Sequence, residues 1–255
     1  MIDRRKPEYK EYNWKFMELD ENHNGFQYSD GLNINTIPDV GDNMIFSTGN
    51  YIFNNFDESY IFIRRVQIPT GAHVVYSESY DHMCETDKIF LDKKLDLRSV
   101  DTWEILWDNF VDMMTFKEKI LYVLSKNGWL KPLMWFINKM RSIHEDETTV
   151  LVEVLRGAIS NNNIDVIEYI LKEYPSNLEN LGSNSSIISS IAELAIKPNK
   201  RSDYCFPTMK SLIDHGLFES VNTDIVLSPT VIMFKSMNHD ETYKLIQSYI
   251  DRKDR

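Results

Sequence analysis

His23 and Asp30 are a histidine–aspartate pair close together in sequence, with Gln27 and Tyr28 between them. One reading makes His23 a ligand-binding group. Together with Gln27, Tyr28 and Tyr51 it would line a pocket in a nucleotide-binding or transferase-like β-module. The plainer reading has Asn22, His23 and Asn24 capping a turn and Gln27 satisfying backbone groups, as polar turn residues usually do. His73, His82 and Cys84 match no common zinc spacing, so no metal site is expected. Cys84 and Cys205 stand far apart and read as two buried thiols rather than a disulfide. The sequence has no Gly-Lys-Ser phosphate loop, no Gly-x-Ser-x-Gly elbow, no His-Glu-x-x-His and no dinucleotide fingerprint. Neither a cofactor nor catalytic turnover is therefore expected.

The elements around these residues fall into two kinds. Tyr12, Trp14 and Phe16 have strand spacing and predict an edge strand or a loosely packed arm. Asn24-Gly25 and Asp30-Gly31 mark tight turns around a short strand at Phe26–Tyr28, because glycine takes positive φ cheaply. From Met44 to Ile68 the chain is rich in β-branched and aromatic residues, among them Tyr51-Ile52-Phe53, and Pro69 closes the run. Ala72–Ser77 and Lys88–Leu91 predict further strands. Residues 1–100 thus form a β-rich module of five or six short strands. Trp103, Leu106, Trp107 and Phe110 then shift to helix spacing and mark a helix linking this module to the C-terminal part of the chain.

Residues 101–255 predict stacked helix pairs. Leu155 to Glu173 reads as a short helix, an Asn-rich turn and an amphipathic second helix carrying Ile164, Val166, Ile167, Ile170 and Leu171. Helices this short need similar neighbours to bury their apolar faces. Ile137, Ile170, Ile213 and Ile246 end similar apolar groups, at spacings of 33, 43 and 33 residues. The common period is that of ankyrin repeats, about 33 residues, with about ten extra in one interval. The excess is placed in the polar loop from Lys197 to Asp203, either a tolerated insertion or a protruding contact loop. Four helix pairs are expected, near residues 115–140, 148–174, 185–216 and 228–250. Glu145-Asp146-Glu147 reads as the solvated turn before a helix, where its charge suits the helix N-terminus.

Two resemblances attach to these segments. Leu155-x-x-Ala158 followed by Asn161-Asn162-Asn163-Ile164-Asp165-Val166-Ile167 resembles the ankyrin pattern. Glu153-Val154-Leu155-Arg156 stands where the family's Thr-Pro-Leu-His box would be, so the repeats are expected to be degenerate. The run His23-Asn-Gly-Phe-Gln-Tyr-Ser-Asp-Gly-Leu-Asn33 resembles the N-terminal signature of ankyrin-repeat proteins of giant amoeba-infecting viruses. Arg65–Pro69 and Asp87–Leu97 are similar to later segments of the same module. At Phe46–Phe53 this chain lacks that family's cysteine and Gly-Gly-Leu-Tyr-Phe run. The resemblances imply an α+β protein, a β-rich N-terminal module followed by degenerate ankyrin-like helix pairs, acting in the host cytoplasm, the virus factory or the virion.

Composition narrows the partners. The chain of 255 residues is 42% hydrophobic, ample for a core. A net charge of −11 disfavours nucleic acid. The first ten residues have no apolar run behind their charges, and no stretch is long and apolar enough for a membrane span, so neither signal peptide nor membrane insertion is expected. The expected function is a non-catalytic adaptor that binds a protein through its helical repeats. Asn127, Trp129, Arg156, Asn162, Asn163 and His239 are the residues the apolar pattern leaves free to face that partner. The alternative gives the function to the β-module pocket of His23, Gln27, Tyr28 and Tyr51, with the repeats as a targeting arm.

Overall fold

The computed structural model describes residues 13–23, 25–36, 44–76, 83–109, 113–143, 145–175, 181, 184–196, 205–219, 227 and 240–253. The chain divides into two compact units, Met1–Lys117 and Glu118–Arg255. The first is built on an antiparallel sheet and the second on helices, so the protein is a mixed α and β chain.

Strand β1 (Asn13–Met17) lies in the middle of the sheet, between β5 (Met44–Thr48) and β6 (Phe62–Gln67). The edge strand or loose arm expected here is therefore a central strand, and residues Trp14 to Met17 are buried. Strand alternation explains the difference, because side chains of β1 pack on both faces of the sheet. Phe16 faces one layer, stacking on Phe56 at 4.9 Å and Tyr60 at 5.3 Å. Met17 faces the other, with Met44, Phe46, Phe62, Val66, Cys84, Ile89 and Leu91.

The remaining strands are β2 (Asn22–His23), β3 (Phe26–Gln27), β4 (Gly31–Ile34), β7 (Val74–Tyr76), β8 (Met83–Thr86), β9 (Lys88–Leu91) and β10 (Leu95–Asp96). The sheet runs β4-β9-β6-β1-β5-β8-β7, with β10 also on β6, while β2 and β3 form a separate hairpin. There are more strands than the five or six expected, most of them very short. Tyr51-Ile52-Phe53 departs in kind: residues Gly49–Asn55 form a 3-10 helix. Its tight turn directs Ile52 and Phe53 into the core, with Phe56 close behind. Helix α1 (Val100–Asn109) belongs to this unit. Its Trp103 is fully buried, packs on Phe53 and Phe56, and donates its indole N–H to the Leu97 carbonyl at 2.7 Å.

The second unit contains α2 (Lys117–Lys126, all but its first residue), α3 (Leu130–Ser142), α4 (Glu147–Ser160), α5 (Ile164–Glu173), α6 (Ser185–Ile196), α7 (Cys205–Asp214) and α8 (Asp240–Lys253). Helix α4 packs against α5 and α6, α5 against α7, and α7 against α6 and α8. Asp146 caps α4, its carboxylate accepting the Thr148 and Thr149 N–H groups at 3.3 and 3.0 Å, which gives the acidic run its role. Ile137, Ile170, Ile213 and Ile246 are all buried, on α3, α5, α7 and α8. The expected insertion from Lys197 to Asp203 and the first half of the last helix pair lie outside the described residues.

Candidate functional site

The α4–α5 turn is the most informative polar feature of the helical unit. Asn162 adopts φ +55° there, as Gly128 does at φ +69° in the α2–α3 turn. In both turns the following N–H reaches back into the preceding helix, Trp129 to Leu124 at 3.0 Å and Asn163 to Ala158 at 2.9 Å. The two turns are thus the same local structure, made once with glycine and once with asparagine, the side chain that tolerates this conformation best.

Their side chains join neighbouring helix pairs. Asn163 donates to the Ser125 carbonyl at 2.9 Å and also to that of Lys126, and Asn161 donates to Lys126 at 2.9 Å. These are end carbonyls of α2, which lack partners within their own helix. On the other side the Thr208 hydroxyl of α7 donates to the Asn162 side chain. The asparagine turn therefore supplies cross-ties between pairs in a chain without a Thr-Pro-Leu-His box. At the same level α2 and α4 approach so closely that a Cβ at Gly157 would fall on Ser125 Oγ and the Tyr122 carbonyl.

This accounts for two of the residues expected to face a partner: Asn162 and Asn163 are half-buried and bonded to adjacent pairs. Trp129 is half-buried at the start of α3, and Asn127 is half-buried beside it. Arg156 is exposed on α4 and paired with Glu153 at 2.8 Å. His239 lies outside the described residues.

In the sheet unit, His23 and Gln27 sit on the β2–β3 hairpin. The Asn22 side chain accepts the Gly25 N–H at 3.0 Å, and Gln27 donates to the Asp20 carbonyl at 2.8 Å, as the plainer reading has it. Tyr28 turns into the core at 4% exposure, whereas Gln27 beside it is exposed. Consecutive side chains of an extended segment point to opposite sides, so these two do not line one concave wall. Tyr51 is exposed on the 3-10 helix.

An ionic cluster around the buried Arg64 was not foreseen; of its partners, Asp30 is exposed and Glu21 is buried. Arg64, at 2% exposure, donates to Glu21 and Asp30 at 2.5 Å each and to the Asp92 carbonyl at 2.8 Å. Lys94 adds a second contact to Glu21 at 2.7 Å. Burial works against the Glu21 carboxylate, yet hydrogen bonds from Lys94 and Arg64 outweigh it and hold its pKa below the ordinary value. The hydrogen bond from Arg64 does the same for Asp30. Glu21 and Asp30 bracket the hairpin, so the Arg64 fork pins the segment carrying the His23–Asn33 run to the sheet. The one signal in the sequence was an arginine between Phe62 and Val66 on a single strand face.

Lys15 sits opposite Arg64 across β1 and β6, at 5% exposure, donating to the Ile45 carbonyl at 2.8 Å. Its ammonium lies 4.6 Å over the Tyr28 ring. Burial pushes its pKa down to about 7. Among the described residues no three His, Cys, Asp or Glu side chains group as metal ligands, and no helix is long and apolar enough to cross a membrane. No protein-family model matches the chain, and no solved structure matches it.

Proposed function

We propose that the chain is a non-catalytic adaptor and that its helical unit is a degenerate ankyrin-like stack which binds a protein partner. The observation that carries this reading is the order of helix contacts. First helix lies on first helix (α4 on α6) and second on second (α5 on α7), with matching turns ahead of α3 and α5. A stack of this kind presents a row of helix faces and turn tips that no single hairpin could make. Val150, Leu151, Val154, Leu155 and Ala158 are all buried on α4, which leaves Arg156 as its exposed charged tip toward a partner. Asn127 and Trp129 supply the neighbouring turn. The resemblance to ankyrin-repeat proteins of giant viruses points the same way.

Residues 118–255 hold 18 acidic and 16 basic side chains, so binding through this unit should depend only weakly on salt. The test is affinity capture with the full chain, comparing wild type, Arg156→Glu and Trp129→Ala, alongside a thermal-shift panel of nucleotides and common cofactors. A stoichiometric protein partner that is weakened by Arg156→Glu supports the adaptor. Saturable nucleotide binding lost in His23→Ala, with no protein captured, would assign the function to the β-module instead.

A further inference from the structure

Strand β7 ends the sheet and, among the described residues, pairs only with β8. An edge strand normally buries alternate side chains against its own core. Here Val74, Val75 and Tyr76 are exposed by 38%, 44% and 74%, so among the described residues neither face of the strand is fully covered. Three consecutive apolar residues beside an open backbone edge form a template for another strand. The opposite edge, β4, also exposes Leu32 and Ile34, by 53% and 43%, while its buried Asn33 amide accepts the Ser29 N–H and donates to the Ser29 and Gly31 carbonyls.

Charge indicates what pairs with β7. Beside β7 the described residues Glu85 and Asp87 are acidic, and Lys88 pairs with Asp87 at 3.8 Å. Glu85 lies directly opposite Val75 on β8. Residues 1–117 hold 21 acidic and 12 basic side chains, so nine of the chain's eleven surplus negative charges belong to this unit. A second copy would bring the same acidic surface against itself, whereas a basic strand would be attracted.

We propose that β7 is a docking edge for an extended basic segment of a partner protein, which adds to the sheet as a further strand. This edge belongs to the sheet unit and gives the adaptor a second, salt-sensitive contact. The probe is a fluorescently labelled peptide of alternating lysine and valine, titrated into the full chain by anisotropy. Peptides alternating lysine with glycine and glutamate with valine serve as controls.

Saturable binding of the Lys-Val peptide is expected, at least about tenfold tighter than the Lys-Gly peptide. It should weaken as salt rises from about 50 to about 300 mM. Val75→Pro removes a ladder donor and should abolish it. So should the double variant Val74→Lys, Tyr76→Lys, whose exposed side chains can change without touching the core. Arg156→Glu should leave it unchanged. Equal binding of Lys-Val and Lys-Gly, no binding of either, or survival of binding in the double variant would overturn the proposal. So would a dimer in sedimentation that dissociates on Val75→Pro, since the occupant would then be a second copy.

Discussion

Replacing Lys15 by methionine should stabilise the protein at neutral pH. The ammonium is almost wholly buried, faces Arg64 across the strand pair, and has one carbonyl acceptor and the face of one ring for compensation. Its pKa falls from 10.5 to about 7 because burial penalises the charged form. At about 1.4 kcal/mol per pH unit, keeping it charged below pH 7 costs the fold up to about 5 kcal/mol. Methionine keeps the apolar stem but leaves the Ile45 carbonyl without this donor, a loss of about 1–3 kcal/mol. The net gain expected is about 2–4 kcal/mol.

The pH dependence has a definite sign. Between about 7 and 10.5 the folded chain binds fewer protons at Lys15 than the unfolded chain, so stability rises with pH across that window and is flat below it. From pH 7 to 8.5 the wild type should gain about 2 kcal/mol from this group, and the variant nothing. Cys84, whose thiol burial pushes up, acts the other way once unfolded thiols begin to ionise. Subtracting the variant's curve from the wild type's cancels that contribution. Urea unfolding at pH 6, 7, 8 and 8.5 measures the difference. A variant less stable than wild type by more than about 1 kcal/mol at pH 7, with a parallel pH curve, would refute the buried charged lysine.

Three further predictions concern packing and polar contacts. Ile170→Ala should cost about 2–5 kcal/mol and Glu168→Ala, on the exposed side of α5, less than about 0.5, so equal effects by chemical denaturation would break the assigned register. Gly157→Ala should destabilise by about 1–3 kcal/mol or more, because the added methyl meets α2 backbone at Tyr122; a neutral effect would mean that α2 and α4 lie further apart. Arg64→Leu should cost about 1–3 kcal/mol, because Glu21 loses one charged hydrogen bond but keeps Lys94 while the Asp92 carbonyl loses its donor, and Glu21→Gln in that background measures the coupling in a double-mutant cycle.

The range of each interaction decided whether it was legible in the sequence. The helices after the sheet were legible because their apolar groups recur, at spacings of 33, 43 and 33 residues, and the four isoleucines that mark them are buried. The asparagine turn was visible, but its acceptors lie 35 to 38 residues earlier on α2, so its cross-ties were not. Arg64 and its carboxylate partners are 34 and 43 residues apart in sequence. Tyr12, Trp14 and Phe16 have the spacing of any strand, and nothing local shows that this one, Lys15 included, is covered on both faces. At Tyr51–Phe53, β-favouring side chains were overridden by the local turn that starts at Gly49, with φ +50°.

The adaptor account stands or falls on capture by the 255-residue chain, quantified by mass spectrometry for wild type and Arg156→Glu at equal folded concentration. One protein partner held at a stoichiometric level and reduced at least about tenfold by Arg156→Glu is the result the account predicts. Capture indifferent to Arg156→Glu, or no protein captured while a nucleotide raises the melting temperature through His23, would contradict it.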